Sequence, residues 1–211
     1  MNFRKTQLIV FGRGRKQIVN VVVDGQVIEC ANTVKCLGLL IDANLTWSSH
    51  INRIISRIRQ LRCMIYRLRN VFNSYHRELV CKALVLPIVD LFSHIYDTAP
   101  CAALRRLDIA YNDLMRAIVG VSRSQRVSIV SLCARTGMEP LEVRRKRLLL
   151  KFMCNVIGEK LYSKVRERCC KVNNTYNTRQ IVNYQIPYCN SSYGMRRVVC
   201  RGLKLVNQNS T

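Results

Sequence analysis

The sequence has few acids, few glycines and prolines, and no long apolar run, and each shortage excludes a class of protein. Only 12 Asp and Glu stand against 35 Lys and Arg, a formal charge of +23 over 211 residues. Nine Gly and four Pro are too few for a collagen, a low-complexity chain or a mucin-like stalk. A membrane-spanning helix needs about 18 or more consecutive apolar residues. The longest candidate, from Ala83 to Ile95, is interrupted by Pro87, Asp90 and His94, so no membrane partner is expected. The eleven Cys form no C-x2-C pair, and His50, His76 and His94 lie far from Cys169 and Cys170. Zinc-finger spacing is therefore absent. No signal-peptide pattern follows Met1, so the cysteines are expected to be reduced apolar fillers and the location intracellular, nuclear or cytoplasmic. In that setting the glycosylation sequons at Asn44, Asn173 and Asn190 read as chance matches.

What is present is a large apolar fraction, 49%, enough to build one or two small cores. A positive excess of this size opposes compaction unless a polyanion relieves it. Its distribution is uneven: +9 over residues 1–70, +2 over 71–140 and +12 over 141–211. This pattern fits a nearly neutral helical centre between two basic surfaces.

The first forty residues read as strands. Gln7 to Phe11, Gln17 to Val23, Gln26 to Cys30 and Val34 to Ile41 are rich in β-branched residues and separated by turn signals. Asp24 and Gly25 have the chemistry of a two-residue hairpin turn. Between the first two runs, the segment from Gly12 to Lys16 is a basic loop. It lacks the following helix that a nucleotide-binding glycine loop requires.

From Ser48 the period changes to that of a helix. Ile51, Ile54, Ile58, Leu61, Ile65, Leu68 and Phe72 recur at spacings of three and four and form one apolar seam. Ser48 and Ser49 are the candidate N-caps. The same helix carries Arg53, Arg57, Arg59, Arg62, Arg67 and Arg69 with no acid among them. A solvated face normally mixes both signs, so this one is expected to contact phosphate.

Further helices are predicted from Ser74 to about Ile95 with a kink at Pro87, from Ala102 to Val119 before Gly120, and from Val127 to Arg135 before Gly137. Two more run from Leu141 to Ile157 before Gly158 and near Lys160 to Cys169. The run Arg144, Arg145, Lys146, Arg147 reads equally as a nuclear-localisation patch or as the basic face of a helix. Beyond Val172 the chain is expected to be irregular or to form a short strand pair. The fold class is thus α+β and predominantly α-helical, with N-terminal β-hairpins before a helical bundle.

A catalytic constellation is not found. Magnesium-dependent phosphoryl transfer needs converging carboxylates. Asp24 is explained by its turn, Asp42 stands alone after a strand, and Asp90, Asp97, Asp108 and Asp113 have no spacing that gathers them. Cys81 and His76 fall on different faces of one helix.

The order of motifs nevertheless resembles a known family. Asn2, Lys5, Thr6 and Phe11 match an N-x-x-K-T-x-x-x-x-F segment. Val34, Lys35, Leu37, Gly38, Ile41, Asp42, Leu45, Trp47, His50 and Ile51 match V-K-x-L-G-x-x-I-D-x-x-L-x-W-x-x-H-I. Both are similar to the end of the palm, the primer grip and the start of the thumb in reverse transcriptases of non-LTR, jockey-like retrotransposons. Pro87, Asp90, Tyr96 and Asp97 resemble the family's P-x-x-D-Y-x-x-x-V-Y-D helix, with Leu91 in place of Tyr. Asn112, Arg116 and Gly120 resemble a further segment. Pro187, Gly194 and Gly202 to Asn207 resemble the closing strand region, with Val206 where Trp is common.

The resemblance implies three regions: the end of the palm and the primer-grip hairpins at 1–47, a helical thumb and connection at 48–170, and an irregular C-terminal region at 171–211. The implied nucleic-acid contacts are Lys5, facing the incoming triphosphate, Lys35, Leu37 and Gly38 at the primer grip, and Arg53, Arg57, Arg59 and Arg62 on the thumb helix. Gly38 either brings backbone to a primer phosphate or relieves a β-bulge. Trp47 and His50 are expected to pack the start of the helix. The implied partner is an RNA/DNA template-primer duplex or an RNA duplex, together with the palm and fingers of a longer polymerase. The family's F/Y-x-D-D motif occurs nowhere in this sequence, so no catalytic or metal residue is expected here. Mg2+ belongs only to a full-length polymerase. The alternatives are a non-enzymatic, transposon-derived helical interaction protein whose apolar seam docks a partner, and a remnant without function.

Overall fold

The structure is a computed structural model describing residues 6–11, 20–158, 163–172, 184–191, 194 and 196–209. It has two small antiparallel hairpins near the N-terminus followed by a helical region, the α+β class expected. Strands β1 (Val21–Val23) and β2 (Gln26–Ile28) pair with Val21 opposite Ile28. Asp24 and Gly25 turn between them, both with positive φ (48° and 75°), which is the mirror-image turn that suits a hairpin's twist. The run Gln7 to Phe11 does not form a strand. It makes one isolated parallel bridge, Leu8 to Cys30, with the Ala31 N–H donating to the Leu8 carbonyl at 2.8 Å.

The run Val34 to Ile41 is not one strand either. It folds back on itself as β3 (Thr33–Cys36) and β4 (Leu39–Asp42), with Cys36 opposite Leu39 and Thr33 opposite Asp42. The two residues left between them, Leu37 and Gly38, have φ of 47° and 92°. Glycine tolerates this region freely, whereas a leucine held there costs about 1–2 kcal/mol.

Helix α1 (Ser48–Arg67) follows and passes into a 3-10 turn, Leu68–Asn70. Its seam is buried at Ile51, Ile54, Ile58, Leu61 and Ile65, with Ile55 added. Leu68 and Phe72, beyond the helix end, are only half-buried. The helix start does not use Ser48 or Ser49 as a cap. Trp47 occupies the cap position at φ 60° without a side-chain cap bond. Asp42 holds this approach instead: its Oδ2 accepts from the Thr46 N–H and Oγ1–H, both at 2.8 Å, and its Oδ1 from the Trp47 N–H at 2.7 Å. The acid that stands alone in the sequence thus fixes where β4 ends and α1 begins.

Helix α2 (Ser74–Asp90) is capped by Asn73, whose side chain accepts from the His76 N–H at 2.9 Å. Pro87 cannot donate to the preceding turn. Rather than a kinked helix running on to Ile95, the chain leaves the helix after Asp90, passes through Phe92 at φ 58° and resumes as the short α3 (Ser93–Tyr96). Helix α4 (Cys101–Val119) stops at Gly120, and α5 (Ile129–Thr136) at Gly137. Both glycines are left-handed, as helix C-caps require. Helix α6 (Leu141–Gly158) and the one-turn α7 (Ser163–Arg166) complete this part.

The core forms where α1 meets α4. The α1 seam faces Leu107, Tyr111, Leu114 and Ile118, spaced at three and four on α4, and α2 adds Cys81, Val85 and Val89. Each fully buried isoleucine or leucine contributes about 1.5–3 kcal/mol. Burial pushes the Cys81 thiol up to about 12, so it is a filler and not a nucleophile.

The C-terminal expectation is corrected in its last part only: residues 185–189 are irregular and Lys171 makes an isolated antiparallel bridge to Tyr184. Residues Val198–Asn209 form a helix, α8, where irregular chain or strand was expected. Leu203 packs with Leu149 and Met153 of α6 in a second small core. Asn207 binds the Tyr184 backbone on both sides, accepting from its N–H at 3.1 Å and donating to its carbonyl at 2.9 Å.

Candidate nucleic-acid interface

The geometry starts at the seam between the β3–β4 hairpin and α1. Leu39 of β4 is buried in the main core. His50, on the first turn of α1, accepts the Leu40 N–H on Nδ1 at 3.4 Å, and Arg53 donates from Nη1 to the Gly38 carbonyl at 3.4 Å. Residues three apart on a helix share a face, so one face of α1 holds both the strand and the turn. The hairpin tip is therefore fixed in position, and it projects outward: Leu37 is 87% exposed.

His50 and Trp47 pack, as expected. The Trp47 Nε1–H donates to Thr98 Oγ1 at 2.9 Å. His50 is 4% exposed, with its ring 5.5 Å from that of Tyr96. Burial, aided by the charge of Arg53, pulls its pKa down to about 4. The ring is neutral at pH 7 and can accept from Leu40.

Arg53, Arg57, Gln60, Met64 and Arg67 recur at spacings of four, three, four and three along one stripe of α1, in which Met64 is half-buried against the edge of the core. Arg53, Arg57 and Arg67 are exposed. Arg57 Nη1 donates to Gln60 Oε1 at 3.2 Å, and this stripe carries no carboxylate of its own. The stripe begins beside Gly38, so the hairpin tip and the arginines form one continuous positive ridge.

The other expected contacts divide. Lys35 is exposed on β3, and its backbone N–H donates to Gln7 Oε1 at 3.2 Å. Arg59 and Arg62 fall on the opposite flank of α1. Arg59 is exposed there, while Arg62 is half-buried and paired with Asp113 of α4 at 3.7 Å. The helix has no acid in its own sequence, yet the fold brings one to it. Lys5 lies outside the described residues, as does the loop from Gly12 to Lys16.

The run from Arg144 to Arg147 is paired throughout. Arg144 donates from Nε to Asp90 at 2.6 Å and pairs with Glu139 at 3.1 Å. Arg145 is 3% exposed, donating to Asp97 at 2.8 Å and to Asp108 at 2.6 Å. Arg201 of α8 also pairs with Asp97, Lys146 with Glu142 at 2.7 Å and Arg147 with Glu139. Burial opposes the charge of Arg145, but the hydrogen bond to Asp108 and the charges of Asp108 and Asp97 outweigh it and raise its pKa. Thus half of the run from Arg144 to Arg147 is structural, joining α2, α3, α4 and α6. Three of the acids that the sequence left scattered, Asp90, Asp97 and Asp108, are gathered here around Arg144 and Arg145. Among the described residues, no group of three or more His, Cys, Asp or Glu side chains is placed to hold a metal ion, and no helix is long and apolar enough to cross a membrane.

Sequence reasoning grouped Arg67 with Arg59, Arg62 and Arg69 on one basic helix face and did not separate the stripe that it shares with Arg53 and Arg57. It also missed the anchoring of the turn by Arg53, which depends on a backbone carbonyl and leaves no trace in residue type. Comparison with protein-family models, with curated proteins and with solved structures found no match for this chain.

Proposed function

We propose that the chain is part of a non-LTR retrotransposon RNA-directed DNA polymerase: the end of the palm, the primer grip and the thumb. In this reading it binds an RNA/DNA template-primer duplex through α1 and does not polymerise alone. The observation that carries the reading is the left-handed turn at Leu37 and Gly38, tied by Arg53 to the head of a carboxylate-free arginine ridge. A primer grip needs backbone near a terminal phosphate and a fixed approach. A thumb needs guanidinium groups spaced along a duplex backbone, which they hold by shape and charge.

The first hairpin adds support. Val21, Val22 and Val27 on it, and Val10 and Phe11 in the segment after the Leu8 bridge, are exposed, apolar side chains that the rest of a palm would cover. The apolar seam of α1 faces the chain's own core, so the second reading, a protein-docking module, needs another surface for its partner.

The test is fluorescence anisotropy with a blunt RNA/DNA hybrid. The native chain binds, and the double substitution Arg53→Glu and Arg57→Glu abolishes binding while leaving the melting temperature within a few degrees. Undiminished binding by that variant contradicts the reading.

A further inference from the structure

On the flank of α1 that carries Arg62, a cavity of about 440 Å³ opens between the C-terminal half of α1, the end of α4 and the loop after Gly120. That volume lies in the range of small-molecule sites, roughly 300–1,000 Å³. One wall is apolar, made by Tyr66, Ala117 and Val121, and the rim is cationic, made by Arg62, Arg67 and Arg123 around a single carboxylate, Asp113.

These cations are not equivalent. Arg123 donates from Nε to Asp113 at 2.8 Å and pairs with it again through Nη2, so its charge is satisfied. Arg116 spends both Nη atoms on the carbonyls of Gln125 (3.3 Å) and Val127 (3.2 Å), which holds the loop in place. Arg62 reaches Asp113 only at 3.7 Å, and Arg67 has no carboxylate partner among the described residues. Two guanidinium groups with donors to spare therefore face a preformed cavity. An anion suits Arg62 and Arg67, for which charge-assisted bonds to phosphate oxygens are strong. A bare phosphate leaves the apolar wall uncovered and places negative charge close to Asp113. A ligand with an anionic end, a flat apolar body and a hydroxyl or amine donor for Asp113 uses all three features.

We propose that this cavity binds a nucleoside 5′-phosphate, with the phosphate on Arg62 and Arg67, the base against the Tyr66, Ala117 and Val121 wall, and Asp113 accepting from a ribose hydroxyl or exocyclic amine. The cavity opens on the flank of α1 away from Arg53 and Arg57 and shares only Arg67 with the duplex ridge.

Cys63 lines the cavity and is exposed, while Cys101 and Cys154 are exposed elsewhere. Alkylation of the full chain by iodoacetamide, read peptide by peptide by mass spectrometry, therefore reports occupancy at one thiol against internal controls. AMP slows modification of Cys63 several-fold and leaves Cys101 and Cys154 unchanged. Substitution Arg67→Gln raises the AMP concentration needed by about tenfold, the effect of losing one charge-assisted bond, without shifting the melting temperature. No protection of Cys63 by AMP overturns the proposal, and so does equal protection by inorganic phosphate. A hybrid with one unpaired terminal adenosine, compared with its blunt counterpart, distinguishes the strand end from the free mononucleotide as the source. Failure of hybrid binding alone bears only on the duplex reading, because the AMP arm contains no duplex.

Discussion

Arg53 of α1 donates to the carbonyl oxygen of Gly38 at 3.4 Å, so the first turn of the arginine helix holds the backbone of the hairpin tip. The tip is strained and exposed at once: Leu37 sits at φ 47° with 87% of its surface in solvent. Strain of this kind persists where the surroundings enforce it, and it concentrates at functional sites. Leu37→Asn supplies the residue this turn prefers before glycine and is expected to stabilise the fold by about 1 kcal/mol. Gly38→Ala meets no steric neighbour closer than Leu91 Cδ2 at 3.9 Å, yet at φ 92° it costs about 1–2 kcal/mol. Thermal melts of the two variants move in opposite directions, and both variants bind hybrid more weakly than the native chain.

The ion network around Arg145 is expected to be the most sensitive polar feature of the fold. Arg145→Met leaves Asp108 without a cation and Asp97 with only Arg201, and breaking a buried pair in this way costs about 3–5 kcal/mol. Urea unfolding measures the loss. Lys146→Met, at an exposed i,i+4 pair with Glu142, is expected to change stability by less than about 0.5 kcal/mol.

Gly202 sets the docking of α8. A Cβ added there stands 2.2 Å from Met153 Cγ, so Gly202→Ala forces α6 and α8 apart and costs about 1–3 kcal/mol. Hydrogen exchange is expected to accelerate in 198–209 while α1 and α4 stay protected. Met153→Ala in the same chain restores protection of α8.

Acid destabilises the fold through His50. Its folded pKa lies near 4 against 6.5 in an unfolded chain, so between those values the unfolded state binds more protons. Stability from the neutral ring is complete above pH 6.5 and is lost as pH falls through 4, by roughly 3 kcal/mol in total. His50→Gln removes this part of the slope in denaturation measured from pH 7 to pH 4.

The helical part was legible because its signals are local. The α1 seam at spacings of three and four, and Gly120 and Gly137 at helix ends, are periodic or conformational cues. The β3–β4 turn was not legible in the strand pattern, since Leu37 is no turn residue and Val34 to Ile41 reads as one β-branched run. Only the family resemblance pointed to a hairpin there. Helix α8 was hidden by Gly202 and the surrounding Asn and Ser, because a glycine that weakens a helix locally is what admits Met153 at the contact. Of the interface, the arginines were visible and their partners were not. Asp113 beside Arg62 and Asp97 beside Arg145 are brought there by helix packing, which no sequence spacing encodes.

The central claim, a ridge of arginines on α1 that holds a duplex by its phosphates, is tested most directly by the salt dependence of binding. Contacts from the ridge arginines Arg53, Arg57 and Arg67 to three phosphates predict a slope of about −2.5 to −3 in log K against log salt concentration. The slope becomes shallower by about 2 in the Arg53→Gln, Arg57→Gln variant. A slope near zero, or one that this variant leaves unchanged, contradicts the account.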